Sequence, residues 1–264
     1  MEIIVCIKQV PGTNLVEVDP ETGVLKRNGI ASKLNPYDLF ALELALGLKE
    51  KHGGRIRVIT MGPPQAAKAV EEAACMGAEE GVVLSDRAFA GADVLATSYT
   101  LAQGIRRAGR FDLVICGRQT TDGDTAQVGA ELAEHLGIPH AGNVMEVVAV
   151  DTEKKRVTIS TDMDATVYEE SLGYPCVLCC DGDINTARLP SYRRKKENEG
   201  NRCAFLSLAD LEDGDETHYG LSGSATKVEK IYPPDGKKER SFLTGTDEEQ
   251  ALALAKHLRK LRFI

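Results

Sequence analysis

The stretch Asp112-Leu113-Val114-Ile115-Cys116-Gly117-Arg118-Gln119-Thr120-Thr121-Asp122-Gly123-Asp124-Thr125-Ala126-Gln127-Val128-Gly129 passes from an apolar run through a small polar loop into a helical pattern. The run 112–116 has the length and β-branched content of a strand covered on both faces. Beyond the loop, Val128, Leu132, Ala133 and Leu136 recur at helical spacing and form an apolar face that ends at Gly137. A strand, a short loop and a helix N-terminus present unpaired backbone N–H groups and the positive end of the helix dipole to an anion, and phosphate is the natural ligand. Gly117 and Gly123 let the main chain approach a phosphate closely, Thr125 offers a hydroxyl, and Arg118 offers a charged fork for phosphate or carboxylate. The same residues also fit an ordinary polar connection in which Asp124 caps the helix, and the pattern alone does not separate the two.

On the N-terminal side, strand-like runs at Ile3 to Lys8, Arg55 to Thr60 and Gly81 to Ser85 alternate with helical segments. Asn35-Pro36 supplies an N-cap and a first-turn proline for a helix with Leu39, Leu42 and Leu46 on one face, stopped at Gly53-Gly54. Met61-Gly62-Pro63-Pro64 turns into a helix carrying Ala67, Val70 and Ala74, and a further helix runs from about Asp93 to Ala108. Such alternation predicts a parallel sheet with helices on both faces. An excursion from Val16 to Gly29 has a hairpin turn at Asp19-Pro20-Glu21-Thr22-Gly23. Past Gly137 the pattern changes to consecutive strands at Val144 to Val150, Arg156 to Thr161, Thr166 to Glu170 and Cys176 to Cys180, the middle ones polar enough for a surface meander.

From Asn185 onward periodicity fades and charge rises, at Arg193-Arg194-Lys195-Lys196 and again over Asp210 to Glu216. We therefore divide the chain into an α/β domain, 1–185, and a segment 186–264. In the latter, 186 to about 245 reads as an extended arm with little core of its own, because such composition buries too little apolar surface to offset ordering entropy. A final helix, about Asp247 to Leu261, carries Leu252, Leu254, Ala255 and Leu258 and needs a surface to lie on.

Composition narrows the function. The 264 residues carry 32 Lys+Arg against 40 Asp+Glu, a formal charge of −8 that is poor for tracking nucleic acid. No apolar run approaches the roughly 20 residues that span a bilayer. Met1 to Cys6 enters a strand directly, without the basic flank and cleavage site of a secretory signal, so a cytoplasmic location is expected. Cys6, Cys116, Cys176 and Cys180 lie in strand-like runs and read as buried reduced thiols; the Cys176/Cys179 pair sits on a strand that points its members to opposite faces, against a metal site. His52, His135, His140, His218 and His257 read as surface or helix-end residues.

Beyond the loop 117–129, the motifs Val5-Cys6-Ile7-Lys8-Gln9-Val10-Pro11, Asn35-Pro36-Tyr37-Asp38, Met61-Gly62-Pro63, Met76-Gly77-Ala78 and Arg188-Leu189-Pro190 follow one another in order and spacing. In this series the chain resembles, along nearly its whole length, the beta subunit of electron-transfer flavoproteins. The resemblance implies a three-layer α/β/α fold, mostly parallel, of the adenine nucleotide alpha hydrolase-like kind, with an extended C-terminal arm. It implies an adenine nucleotide over the carboxyl ends of the strands, held by Cys6, Asn35, Tyr37, Asp38, Met61, Gly62 and the loop residues Gly117, Arg118, Gln119, Thr120, Thr121, Asp122, Gly123, Asp124, Thr125, Ala126, Gln127 and Val128. Arg188-Leu189-Pro190-Ser191-Tyr192 matches the family's recognition loop, in which Leu189, next to Pro190, would insert into a pocket on a partner dehydrogenase.

Family members hold either a structural AMP or, in the bifurcating kind, FAD in this subunit. Residues at the positions of Gly123 and Thr125 tend to be bulkier or acidic in the AMP kind, and a further phosphate needs room and no facing carboxylate. The segment Ser85 to Asp93 also looks like the bifurcating group, with Arg87 and Asp93 implied near the flavin or the NADH entry; as plain sequence they fit a surface turn and a helix cap. The resemblance thus implies FAD as cofactor, NADH as hydride donor, and an obligate alpha subunit carrying a second FAD. From there, electrons would divide between an acyl-CoA dehydrogenase-type partner and ferredoxin or flavodoxin. A conventional AMP-holding subunit is the alternative. A free-standing adenine-nucleotide sensor or ATP-cleaving enzyme is the third reading, disfavoured because neither an SGGxDS-type loop nor a GxxxxGK[ST] loop occurs.

Overall fold

The computed structural model describes residues 1–12, 17–18, 25–26, 32–197, 203–229 and 240–264. The turn expected at Asp19 to Gly23 lies outside the described residues. Among the described residues, nine strands form one sheet: β1 (Glu2–Cys6), β2 (Arg55–Met61), β3 (Glu80–Leu84), β4 (Leu113–Gly117), β5 (His140–Asp151), β6 (Arg156–Asp162), β7 (Val167–Gly173), β8 (Cys176–Cys180) and β9 (Cys203–Leu206). Their order across the sheet is β7-β6-β5-β8-β4-β1-β2-β3-β9. The β7–β6 and β6–β5 pairs are antiparallel, forming the expected meander, and the remaining pairs are parallel.

Helices α1 (Pro36–His52), α2 (Ala67–Met76), α3 (Val94–Ala108) and α4 (Val128–Leu136) connect the parallel strands. The apolar runs of the strands alternate between two cores. Ile3, Val5, Ile56, Val58, Leu113, Ile115, Cys176 and Leu178 pack with α1 and α2, whereas Ile4, Cys6, Ile59, Val114, Cys116, Val177 and Cys179 pack with α3 and α4. A strand that is apolar at every position needs such cover on both faces, and the result is the three-layer α/β/α arrangement expected from the sequence. Cys176 and Cys179 fall in opposite cores. Burial pushes the Cys176 thiol up to about 12, as for an inert core thiol.

Part of the stretch expected to be an arm is built into the sheet. Cys203–Leu206 pairs in parallel with Gly81–Leu84, and Leu208, Leu211 and Tyr219 are buried. Tyr219 is fully buried; its ring lies 5.4 Å from that of Phe89 and 5.5 Å from that of Tyr99, and its hydroxyl donates to the Asp213 carbonyl at 2.6 Å. The segment borrows the apolar face of α3 and β3 and so needs no core of its own.

Among the described residues, 1–229 apart from Val18 form one compact unit, and Val18 with 240–264 belong to a second. Helix α5 (Tyr192–Glu197) belongs to the first and α6 (Asp247–Lys260) to the second. The N-terminus of α6 is closed by a capping box, with Thr246 and Glu249 each accepting from the other's backbone N–H. No described helix is long and apolar enough to cross a membrane.

If 203–221 is integral to the sheet, Tyr219→Ala should cost about 3–5 kcal/mol of unfolding free energy. Chemical denaturation measures it, and a loss below about 1 kcal/mol would mean the segment is only laid on the surface.

Candidate nucleotide-binding site

Strands β1, β2 and β3 step in one direction across the sheet, and β4 then returns to the other side of β1. The connections that leave β1 and β4 therefore diverge, opening a crevice at the carboxyl ends of these two neighbours. Cys6, Met61, Gly117 and Cys180 end their strands at this edge, and Gly62 follows Met61 with its N–H bonded to the Leu84 carbonyl at 3.0 Å.

Residues 117–128 bridge the crevice from β4 to α4. The helix begins at Val128 with Gln127 at the cap position and no side-chain cap, so Asp124 does not cap it. Asp124 instead accepts from the Gln119 amide, and its own N–H bonds the Thr120 carbonyl at 3.0 Å. Asp124 and Ala126 have φ of 55°, and Gln127 returns to φ −114°, ψ −25°. A left-handed residue followed by a right-handed one is the backbone pairing of an anion-binding nest. Gly129 explains how close α4 approaches: a Cβ there would strike the Cys179 sulfur and lie 3.6 Å from the Cys116 Cβ. Residues 121–127 are exposed, Thr125 among them.

The base of the loop is knotted to the start of α1. Asn35 was expected to cap this helix, but its side chain does not. Its Nδ2 donates to Asp38 Oδ1 and to the Gln119 carbonyl, both at 2.9 Å, and its Oδ1 accepts from the Thr121 N–H at 3.3 Å. Asp38 Oδ2 accepts from the Lys8 N–H at 2.7 Å. Gly117 is wedged against this knot; a Cβ there would fall 2.6 Å from both Asp38 Oδ1 and the Tyr37 carbonyl carbon. Burial pushes the Asp38 carboxyl up to about 7, against the lowering effect of the Asn35 and Lys8 hydrogen bonds and the Lys8 charge.

The charged residues of the loop are paired. Lys8 Nζ lies 2.9 Å from each carboxylate oxygen of Asp122. Partial burial raises the Asp122 pKa, but the Lys8 contacts outweigh it and hold the group below its ordinary value. The Arg118 guanidinium donates to Asp181 Oδ2 at 2.7 Å and to Gln119 Oε1 at 3.1 Å. Thr120 Oγ1 accepts from the Gly123 N–H at 3.3 Å.

Cys6, Asn35, Tyr37, Asp38, Met61, Gly62 and 117–128 thus gather at one edge of the sheet. Asp93 is used differently. Its carboxylate caps α3 through the Ala96 N–H at 3.1 Å and accepts from the Thr226 N–H and hydroxyl at 2.8 and 2.9 Å. Leu189 and Pro190 are exposed beside α1, away from the knot, with Arg188 fixed to Glu43 and Glu50. Two participants were missed from sequence. Asp181 directly follows the carboxyl end of β8 and Lys8 lies two residues past that of β1, positions that mark them once the strands are known.

A doubly wound sheet with a glycine-lined crevice at its switch point is the architecture of α/β nucleotide-binding domains. Residues 22–203 match the electron transfer flavoprotein domain. The chain is 42% identical, over the full length of both, to the electron transfer flavoprotein subunit beta of Clostridium acetobutylicum. It is 40% identical, again over both full lengths, to the caffeyl-CoA reductase-Etf complex subunit CarD of Acetobacterium woodii. With protein FixA of Bradyrhizobium diazoefficiens it shares 38% identity over 96% of this chain and 90% of that one. The chain belongs to the electron transfer flavoprotein family, among its beta subunits, as the motif series implied.

Asp38 carries a pH signature. Unfolded, it ionises near its ordinary 3.8; folded, it keeps its proton up to about 7. The native state binds more protons in this window, so the stability it confers at low pH is lost as the pH rises from about 4 to 7. Between pH 5 and 7 the unfolding free energy should fall by up to about 1.4 kcal/mol per pH unit from this group. Asp38→Asn should flatten the decline in denaturant titrations at pH 5, 6 and 7, and equal slopes in the two proteins would refute the buried proton.

Proposed function

We propose that this chain is the beta subunit of a bifurcating electron-transfer flavoprotein, holding FAD in the crevice between β1 and β4. NADH is the hydride donor, and an alpha subunit carrying a second FAD is the obligate partner. The observation that carries this reading is the room at Gly123. A Cβ there would meet nothing nearer than Thr120 Oγ1, at 3.4 Å, and the flanking carboxylates Asp122 and Asp124 are engaged by Lys8 and Gln119. A second phosphate beyond that of AMP needs this space and freedom from an unpaired facing charge.

The residues present fit a pyrophosphate. The uncapped start of α4 offers the N–H groups and dipole that favour an anion, and the nest at Ala126 and Gln127 adds backbone donors beside it. Met61, Gly62, Cys6 and Tyr37 border the crevice from the neighbouring strands and the start of α1. FAD, when bound, supplies hydride acceptance from NADH and one-electron transfer onward to the alpha-subunit flavin and to ferredoxin or flavodoxin. The role of this chain is to hold and orient it; no side chain here is asked to act as nucleophile or general acid.

For the onward partner, we assign Leu189 and Pro190 as the docking point for an acyl-CoA dehydrogenase-type enzyme. Leu189 is 89% exposed, yet both sides of it are tied down. Arg188 bonds Glu43 and Glu50 of α1, and the Ser191 N–H donates to the Cys75 carbonyl at 2.9 Å. A rigidly presented apolar anchor beside the basic residues Arg193, Lys195 and Lys196 is the pattern of an interface hot spot with a charged rim. The name of the Acetobacterium woodii relative, a subunit of a caffeyl-CoA reductase-Etf complex, supports a reductase of a CoA thioester as partner. We assign 1–185 to nucleotide binding and, within 186–264, the stretches outside the sheet-bound 203–221 to partner contacts, with α6, whose Leu252 and Leu254 are exposed, packing on the alpha subunit.

Co-expression with the alpha subunit, followed by extraction of bound nucleotides, should yield two FAD and no AMP per heterodimer. One FAD with one AMP would overturn the bifurcating assignment. Leu189→Ala should raise the KM for the dehydrogenase about tenfold or more, a cost of ≥ ~1.4 kcal/mol, with flavin content unchanged. An unaltered KM in steady-state electron transfer would remove the anchor.

A further inference from the structure

Asn35 is fully buried, and its carboxamide is almost wholly spent within the protein. A primary amide has two N–H donors and a carbonyl oxygen. One donor goes to the Asp38 carboxylate and the other to the Gln119 carbonyl, while the oxygen accepts from the Thr121 N–H. The Asn35 main chain is held as well, its N–H donating to the Lys8 carbonyl at 2.9 Å. One residue therefore joins the exit of β1, through its main chain, to the first turn of α1 and the loop that follows β4, through its side chain. Gly117 leaves no layer between these segments, since even a Cβ would collide with Asp38 and Tyr37.

We propose that Asn35, in place of the direct hold on the nucleotide that the resemblance implied, serves the crevice as a positioning residue: its side chain is a buried tie that sets the path of 119–121, and through it the phosphate loop. This rests on the reading of 117–128 as that loop. Few residue types meet the demand. The position requires two donors and an acceptor in one plane at short reach. Aspartate would set a carboxylate against both Asp38 and the Gln119 carbonyl, serine offers one donor, and leucine of similar volume leaves all three partners unsatisfied in a buried site.

The test uses the purified full-length chain after removal of bound nucleotide, with AMP, ADP and FAD as probes in equilibrium dialysis and hydrogen exchange read over 118–127. In Asn35→Ala, amides 119–123 should exchange about tenfold faster or more, and affinity for all three probes should fall by one common factor of roughly ten, the consequence of unsatisfied buried partners. Weaker binding with unchanged loop exchange would mean that Asn35 contacts the nucleotide, and the proposal would fall. Unchanged exchange and unchanged binding would sink it equally. If Asn35→Ala does not fold, Asn35→Asp decides. A proton on the new carboxyl restores one donor, so loop protection and affinity should recover from pH 8 to pH 5.5 by several-fold more than in the wild type, and matching pH profiles would overturn the tie. A wild-type chain that binds none of the probes would refute the crevice assignment, while the exchange comparison would still judge Asn35.

Discussion

Neighbouring parallel strands whose connections leave in opposite directions cannot cover the gap between their carboxyl ends. In this protein β1 and β4 are that pair, and most of what distinguishes the chain lies in how the gap is finished. The sheet must be apolar on both faces to sit between α1/α2 and α3/α4, so the strands have no polar side chains to spare for a ligand. Polar function moves to the strand ends and to the loop 117–128. The absence of a side chain at Gly129 lets α4 settle on Cys116 and Cys179, bringing its N-terminus to the edge of the crevice.

The electrostatics follow from what is already paired. Lys8 and Arg118 are engaged by Asp122 and Asp181. These pairs are partly exposed and contribute little stability; their value is geometric, because they hold the loop at 118 and 122. An anion in the crevice would be met chiefly by backbone N–H groups and the dipole of α4, which are set in place by the fold and need no reorganisation. Below the loop, Asn35 and Asp38 form the costly part. Two buried polar side chains are tolerated there because their hydrogen bonds are met, and the remaining desolvation cost appears as the raised pKa of Asp38.

Helices and strands of the first 180 residues were legible because their periodicities are clean: runs apolar at every position for covered strands, and Leu39, Leu42 and Leu46 or Val128, Leu132 and Leu136 for helix faces. The strand Cys203–Leu206 was not, since it is half-exposed, short and set among charged residues, and only its pairing with β3 makes it a strand. Asn35 before Pro36 has the form of a helix cap, and Asp124 before 128 has it too. For Asn35 the distant loop, through the Gln119 carbonyl and the Thr121 N–H, takes the side chain together with nearby Asp38; for Asp124 a neighbour within the same loop, Gln119, does so. The Lys8–Asp122 and Arg118–Asp181 pairs join residues 114 and 63 positions apart, beyond the reach of any local pattern.

From its order of motifs alone, the sequence determined family, layer architecture and the position of the polar loop after the fourth parallel strand, because these depend on local periodicity and on short strings in register. Tertiary structure decided which polar side chains are consumed by bonds within the protein. That choice turns on competition among donors and acceptors brought together from distant segments: Asn35, Asp38, Lys8 and Gln119 are commonplace residues in the chain, and their roles exist only once β1, α1 and the exit of β4 meet at one point.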